Sequence, residues 1–337
     1  MVELYHSEFG RTYAFSEHEH FLARKFLPLA PVALMRLLES HMSFLTKMAI
    51  KSLKDYILEA RKNGNAIGHF NVSTMDGIWA VVDAAEAMKV PVIIGVSEGE
   101  RDYIGVREAA AAIKMIREDR GQPVFINADH TYSFERVKEA VDAGFDAVIF
   151  DGAKLSFDEN VALTKKCLAY AKKKNPAVLV EAELGYIGQS SQVMSAVPLG
   201  VQLTEPADAK RFVMETGIDM LAPAVGNFHG MLEGDRKLTL AAKKIDAGRI
   251  KEISIATGVP LVLHGGSGQG DDEVRAAIKA GVAIVHVNTE LRMAYRSGLM
   301  KSLSDNPDEA APYKYMKPAK LAMQAVVAEK LKVFNML

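Results

Sequence analysis

Residues 123–130 read Pro-Val-Phe-Ile-Asn-Ala-Asp-His, an apolar run that ends in polar side chains. Residues 133–143 follow with apolar side chains three or four positions apart, and Gly144 comes directly after them. A second apolar run then extends from Ala147 to Gly152. This order is typical of a buried strand, an amphipathic helix with a glycine C-cap, and a second strand parallel to the first.

The same unit repeats from Met48 onward. The apolar runs are rich in Val and Ile and nearly continuous, as expected of strands that are buried on both faces. They occur at Ala66–Val72, Pro91–Ser97, Pro123–Asp129, Ala147–Gly152, Val178–Gly185, Met220–Gly226, Pro260–Gly266 and Val282–Thr289. Helix-like stretches such as Thr74–Lys89 and Asp271–Ala280 separate them. Because no dinucleotide-binding fingerprint follows the first strand, the pattern predicts an α/β fold of the (β/α)8 TIM-barrel type rather than a doubly wound sheet.

Two segments flank the barrel region, which we take as residues 48–337. Residues 1–47 are rich in aromatic side chains and show no strand pattern, so we expect a peripheral or poorly ordered N-terminal extension. The spacing of apolar residues over Leu27–Phe44 leaves a helical extension open. Lys314–Phe334 predicts an extra C-terminal helix beyond the barrel.

Composition and charge exclude several classes of protein. Lys and Arg total 41 against 42 Asp and Glu, a net charge of −1, so nothing points to nucleic acid or an anionic membrane as a partner. The single cysteine, Cys167, excludes an intrachain disulfide and a cysteine-based metal site. The apolar stretch Phe26–Leu38 is too short to span a bilayer, and acidic residues stand where a signal peptide needs a basic region. We therefore expect a cytoplasmic protein.

In TIM barrels the chemistry lies at the C-terminal ends of the strands. Four of the five histidines of the barrel region fall there, whereas His69 lies in the middle of the first strand. Each of the four alone is more often a hydrogen-bonded core or rim residue. Together at one rim they favour a catalytic zinc site, in which three imidazoles leave a fourth position open. The four are His130, His229, His264 and His286.

Glycine-rich turns follow the last two predicted strands. Gly265-Gly266-Ser267-Gly268 follows the seventh strand and Asn288-Thr289 follows the eighth, which is the usual phosphate site of the fold. A tight turn that needs glycine is the alternative. Phosphate beside zinc indicates a small phosphorylated substrate with a carbonyl or hydroxyl near the metal. A Schiff-base lysine is disfavoured because no predicted strand contains Lys, and Lys154 lies beyond Gly152.

Taken together, these segments resemble the zinc-dependent class II aldolases that cleave fructose or tagatose bisphosphate. The resemblance covers about residues 48–334 and keeps the family order and spacing. It is carried by Gly68–Val72, Asp129-His130, Glu181–Gly185, His229-Gly230, Leu263–Gly268 and Asn288–Leu291.

The resemblance implies a role for each matching residue. His130, His229 and His264 would bind the catalytic zinc, and Asp129 would be the acid/base on the aldehyde-side hydroxyl. Asp151 and Glu183 would assist the metal, or they would provide an alternative position for it or for a second divalent ion. A monovalent cation near Gly230 and Gly265–Ser267 is also implied. The substrate and its phosphate would be held by Asn71, Ser97, Gly230, Gly265, Gly266, Ser267, His286, Asn288 and Thr289.

Two positions depart from the family pattern. The family's mobile loop carries acidic residues, one of which moves the proton on the dihydroxyacetone phosphate carbon, but no acid occurs here between Glu183 and Glu205. Glu205, Glu98 and Glu100 are candidates to replace it. His286 stands where the family commonly has an Asn that contacts the substrate.

Three hypotheses of function remain open on the sequence. The first is reversible cleavage of fructose 1,6-bisphosphate to dihydroxyacetone phosphate and glyceraldehyde 3-phosphate. The second is the same chemistry on tagatose 1,6-bisphosphate or another ketose phosphate. The third is a metal- and phosphate-binding barrel that has lost turnover. The family also implies a homodimer or homotetramer, with the C-terminal helix as a candidate contact.

Overall fold

The computed structural model describes residues 50–185, 203–232 and 244–337, together with short strands at 3–6, 12–15 and 193–194. It contains two compact units, Met1–Ala49 and Ile50–Leu337. In the first unit, strands β1 (Glu3–His6) and β2 (Thr12–Phe15) pair in antiparallel fashion. The expectation that residues 1–47 carry no strand pattern is therefore wrong for these strands, which are too short to stand out in an aromatic-rich segment. The helical spacing over 27–44 lies outside the described residues.

The second unit is built around a closed barrel of eight parallel strands, which confirms the predicted fold. In barrel order the strands are β3 (Ile67–Asn71), β4 (Val92–Val96), β5 (Val124–Thr131), β6 (Ala147–Phe150), β7 (Leu179–Leu184), β9 (Met220–Pro223), β11 (Leu261–Leu263) and β12 (Val282–Val287). Strand β12 pairs with β3 and closes the barrel. Strands β8 (Val193–Met194) and β10 (Met231–Leu232) form a separate parallel pair.

Helices surround the barrel and cap its N-terminal end. They are α1 (Leu53–Asn63), α2 (Met75–Met88), α3 (Glu98–Ile104), α4 (Val106–Arg120), α5 (Phe134–Ala143), α6 (Phe157–Lys174), α7 (Pro206–Thr216), α8 (Ala247–Thr257), α9 (Asp271–Ala280), α10 (Thr289–Asp305), α11 (Pro312–Tyr315) and α12 (Lys317–Phe334). Their ends follow local chemistry: Thr74 and Ser133 accept hydrogen bonds from first-turn N–H groups, and Gly144 ends α5 in the left-handed conformation.

The N-terminal end of the barrel is closed by α1. Leu53 and Ile57 of this helix are buried in one cluster with Phe125 and Leu179, which point into the barrel from β5 and β7. Each such side chain contributes about 1.5–3 kcal/mol by leaving water. With this end filled by apolar side chains, the polar residues are left for the opposite, C-terminal end.

The predicted C-terminal helix is present as α12 and packs against α2, α10 and β3. Its last turn is tied to the barrel, because the N–H of Ala66 donates to the carbonyl of Phe334. The helix begins at Lys317 rather than Lys314, since Pro318 suits a first helical turn and the preceding residues form the separate turn α11. Among the helices of the described ranges, none combines the length and the apolar character needed to cross a bilayer.

Candidate active site

Three histidines from different parts of the barrel rim converge at the C-terminal end. His130 lies near the end of β5, His229 follows β9, and His264 follows β11. His130 Nε2 lies 2.9 Å from His229 Nε2, and His264 Nδ1 lies 3.4 Å from the same atom. Ligand atoms from all three lie within 4.8 Å of one another and the side chains are buried. Three imidazole nitrogens at this separation fit one divalent metal ion with an open coordination position.

In His130 and His264, the ring nitrogen that does not face His229 lies close to a carboxylate. His130 Nδ1 lies 3.0 Å from Asp151 Oδ2 and 3.7 Å from Glu183 Oε2, and His264 Nε2 lies 2.8 Å from Glu181 Oε1. Such partners fix the ring orientation of metal-binding histidines. His130, Asp151 and Glu183 also form a second group of ligand atoms close enough for a metal ion. Glu181 lies in the segment Glu181–Gly185 that resembles the family, but its contact with His264 has no signature in the sequence.

The electrostatics of these pairs follow from burial and charge. Burial alone would lower the pKa of His130, but the charge of Asp129, the hydrogen bond with Asp151 and the charge of Glu183 raise it to about 10. Burial lowers the pKa of His264 to about 3 and raises the pKa of Glu181 well above its ordinary value. Both shifts favour the neutral forms of His264 and Glu181 in this buried pair.

The backbone at His130 is in the left-handed region, with φ at +43°. This conformation costs a residue with a side chain roughly 1–3 kcal/mol, and it coincides with an irregular register between β5 and β6 from Ala128 to Thr131. Strand β5 continues through this irregularity to Thr131, two residues beyond the end predicted at Asp129. The strained peptide is held by the buried guanidinium of Arg101, which donates to the carbonyl of Asp129 and to Thr131 Oγ1.

Asp129 lies beside the histidines, and only 2% of the residue is exposed. Its Oδ2 accepts a hydrogen bond from Asn71 Nδ2 at 2.8 Å, and its Oδ1 lies 3.4 Å from His286 Nδ1. Burial would raise the pKa of Asp129, but the charge of His130 and the hydrogen bond from His286 hold it well below the ordinary value. The group is therefore ionised and able to accept a proton.

His286 is one member of a stack of imidazoles inside the barrel mouth. Its ring lies 3.4 Å from that of His69 and 4.1 Å from that of His264. His69 is fully buried, and burial lowers its pKa to about 4, so it is neutral. His69 lies in mid-strand as predicted, but its support of the rim residue His286 has no signature in the sequence.

The glycine-rich turn after β11 is shaped by close backbone approaches. Gly265 has φ at +66°, and a Cβ there would lie 2.2 Å from the carbonyl oxygen of Phe228. The N–H of Gly266 donates to the carbonyl of His286, so this amide is already used within the barrel. Ser267 Oγ accepts from the N–H groups of Asn288 and Glu290 and so fastens the turn to the start of α10.

A cavity at the C-terminal end brings most of the predicted substrate residues together with the metal group. Among the residues that the structure describes, neither Lys nor Arg lines this cavity. Its lining consists of Asn71, Asp129, His130, His229, Gly230, Gly265, Ser267, His286, Asn288 and Thr289. The predicted residues Ser97 and Gly266 do not line it. His264, Asp151 and Glu183 also lie outside the lining and contact residues that belong to it.

The three candidates for the missing loop acid lie in different surroundings. Glu205 precedes α7, is largely exposed and pairs with Arg249. Glu98 accepts a hydrogen bond from the N–H of Tyr132. Glu100 is buried and bonded to Asn71. The loop from Tyr186 to Gln192, in which the acid is missing, lies outside the described residues.

Comparison with known proteins agrees with this geometry. Residues 51–337 match the family model described as fructose-bisphosphate aldolase class-II. The chain is 38% identical over 291 residues to the fructose-bisphosphate aldolase of Staphylococcus aureus, covering 86% of this chain and 98% of that one. The enzyme of Geobacillus stearothermophilus is 37% identical over the same shares.

A solved structure gives the same result for the fold. The crystal structure of the YdjI aldolase from Escherichia coli matches with a TM-score of 0.70 at 29% sequence identity, covering 84% of this chain and 96% of that one. The resemblance drawn from the sequence is thus confirmed. The chain belongs to the class-II fructose-bisphosphate aldolase family, whose members are metal-dependent, and it is a lyase of glycolysis that carries out aldol cleavage of fructose bisphosphate.

Proposed function

We propose that the chain cleaves fructose 1,6-bisphosphate reversibly to dihydroxyacetone phosphate and glyceraldehyde 3-phosphate, with zinc held by His130, His229 and His264. The observation that supports this most directly is the convergence of the three imidazoles beside the buried carboxylate of Asp129. Three nitrogen ligands with an open position are typical of catalytic zinc. A bound zinc ion would polarise the ketose carbonyl and stabilise the negative charge that develops as the carbon–carbon bond breaks.

The chain's own residues orient the substrate. The phosphate of the dihydroxyacetone phosphate half lies against Gly230, Gly265, Ser267, Asn288 and Thr289, where α10 begins. A helix N-terminus and glycine backbone favour an anion by themselves, since the described part of the lining contains neither lysine nor arginine. Asn71 and His286 flank the reacting carbons opposite these turns, and Ser97 and Gly266 support the walls.

Asp129 moves the proton. In the cleavage direction its carboxylate takes the proton from the hydroxyl on the aldehyde side of the bond that breaks, and it returns this proton in condensation. The low pKa of Asp129 keeps it ionised before cleavage, and the hydrogen bond from Asn71 orients the accepting oxygens.

Further parts of the proposal concern additional ions and assembly. Asp151 and Glu183, with His130, offer an alternative position for the metal or for a second divalent ion. A monovalent cation would lie near Gly230 and Gly265–Ser267. We also propose a cytoplasmic homodimer or homotetramer, for which the exposed apolar side chains Met300 and Leu321 on α10 and α12 offer a contact surface.

The zinc proposal is tested by metal analysis of the purified protein. About one zinc per chain is expected, and His264→Ala should lose most of it because two imidazoles retain zinc poorly. His286→Asn is the matched control, since His286 lies at the same rim but is not a proposed ligand. Full zinc content after replacement of all three proposed ligands by Ala would refute the site.

The role of Asp129 is tested by a coupled cleavage assay, run after chelation and after zinc is restored. Asp129→Ala should retain zinc and bind dihydroxyacetone phosphate, yet cleave about 10²- to 10⁴-fold more slowly, the usual contribution of one general acid/base. Exchange of the donor's carbon-bound proton with solvent should be affected less, because that step uses a different base. Cleavage by Asp129→Ala at the wild-type rate would show that the assignment is wrong.

A further inference from the structure

Glu100 is a buried carboxylate that contacts Asn71, a residue of the cavity lining. It lies on the short helix α3, and only 5% of its surface is exposed. Its Oε2 accepts a hydrogen bond from Asn71 Nδ2 at 2.9 Å and another from the N–H of Ser97 at 2.7 Å. Its Oε1 accepts from Arg292 Nη2 at 2.6 Å.

Asn71 connects Glu100 to Asp129. The side-chain nitrogen of Asn71 carries two hydrogens, of which one is donated to Asp129 Oδ2 at 2.8 Å and the other to Glu100 Oε2 at 2.9 Å. An ionised carboxylate can only accept. With a carboxylate on both sides, the amide has to present its NH2 group to Asp129 and cannot turn its own oxygen towards it.

Glu100 is itself held in place from two further sides. The N–H of Ser97 is part of the turn that begins α3, and Arg292 reaches across from α10. Both carboxylate oxygens are thus engaged by donors of the protein. Because Glu100 also does not line the cavity, it is poorly placed to replace the missing loop acid.

We propose that Glu100 is a positioning residue, which fixes the amide of Asn71 so that its NH2 group orients the carboxylate of Asp129 for proton transfer. The inference rests on the proposed role of Asp129 as the acid/base. Because the three side chains are buried within one hydrogen-bonded chain, a loss of the acceptor at position 100 is transmitted to Asp129.

Substitutions of Glu100 can separate the effect of side-chain length from the effect of an oxygen that accepts hydrogen bonds. Glu100→Met keeps the length and removes the acceptor, so the Asn71 amide is free to turn. Glu100→Gln removes the charge but keeps one oxygen, which can still accept from Asn71 and Ser97. Arg292, whose side chain is 45% exposed, then turns towards solvent. If an acceptor is what matters, Gln should restore most of what Met removes.

The test measures kcat and KM for cleavage of fructose 1,6-bisphosphate by the zinc-loaded full chain, and the exchange of the carbon-bound proton of dihydroxyacetone phosphate. Glu100→Met should lower kcat about 10- to 100-fold, the usual effect of losing a partner of a site residue, with KM close to that of the wild type. Proton exchange should be unchanged, because it does not use Asp129. Asp102→Asn is the matched control on the same helix, where an exposed carboxylate pairs with Arg136.

A double-mutant cycle with Asn71→Ala checks whether the effect of Glu100 reaches Asp129 through the Asn71 amide. In that background Glu100→Met should have no further effect on kcat, since the connecting amide is already gone. An undiminished effect, or a Gln variant as slow as the Met variant, would overturn the inference. Failure of the inference about Glu100 can be told apart from failure of the acid/base assignment. If Asp129→Ala cleaves slowly and Glu100→Met cleaves at the wild-type rate, only the inference about Glu100 is wrong.

Discussion

Two glycines with nearly the same φ angle show what the site demands of single residues. Gly265 and Gly64 have φ of +66° and +70°. A Cβ at Gly265 would lie 2.2 Å from the carbonyl oxygen of Phe228, whereas nothing lies within 4 Å of a Cβ at Gly64. Gly265 is required by its positive φ and by the backbone of the loop that follows β9, whereas Gly64 is required by its positive φ alone.

Replacement of each glycine by Ala should separate these two costs. Gly64→Ala should lower the free energy of unfolding by about 1–2 kcal/mol, the cost of the left-handed conformation. Gly265→Ala should cost about 1–3 kcal/mol more, because the backbone of residue 228 has to move. Urea unfolding of both variants measures the difference. Equal costs would show that the approach to Phe228 is not tight.

Site residues that stand in recognisable motifs were predictable from the sequence. Residues whose role depends on a contact made only in the folded chain were not. The histidines and Asp129 stand at strand ends, which the barrel pattern locates. Glu100 and Arg101 look like solvent-exposed charges of a short helix, because their burial depends on where α3 lies over β4 and β5. The positive φ of His130 has no signature in the sequence, since it is imposed by the surrounding structure.

At the scale of elements, the eight strands were predictable because strands buried on both faces read as continuous apolar runs. Their ends moved by a few residues where turns began, as at β11, which ends at Leu263 before the glycines. The pair β1 and β2 was missed, because four-residue strands are too short for any periodicity to be recognised.

Helix α6 contains Cys167, which is fully buried against the barrel. Burial raises the pKa of this thiol to about 12, so the folded protein keeps the proton at pH values where an unfolded chain loses it. A group that binds its proton more tightly when folded stabilises the fold below the ordinary thiol pKa, and this contribution is lost as the pH rises towards 12.

Two measurements follow for Cys167. At pH 8 a thiol reagent should modify the native protein only as fast as the protein unfolds, whereas the denatured protein should react at once. Above about pH 9 the wild type should lose stability more steeply than Cys167→Ala, which lacks the titrating group. Rapid labelling of the native protein would contradict the burial of this side chain.

At the scale of the whole molecule, the division at residue 49 agrees with the point where the barrel pattern begins. We expect a chain that starts at Met48 to fold and to cleave fructose bisphosphate as the full chain does, because the described site residues all belong to Ile50–Leu337. Activity, zinc content and thermal unfolding of both proteins provide the comparison. A shortened chain that is folded and loaded with zinc but inactive would show that residues 1–47 complete the site.

Because β12 pairs with β3, the barrel can close only late in the synthesis of the chain on the ribosome. Ile67 hydrogen-bonds within the same ladder as Ile284, so the first strand of the barrel cannot find its last neighbour until nearly the whole barrel has been synthesised. Contacts between residues so distant along the chain form slowly. Until residues 282–287 emerge, one edge of β3 is open to strands of other chains, and it is during this interval that the nascent protein most needs a chaperone.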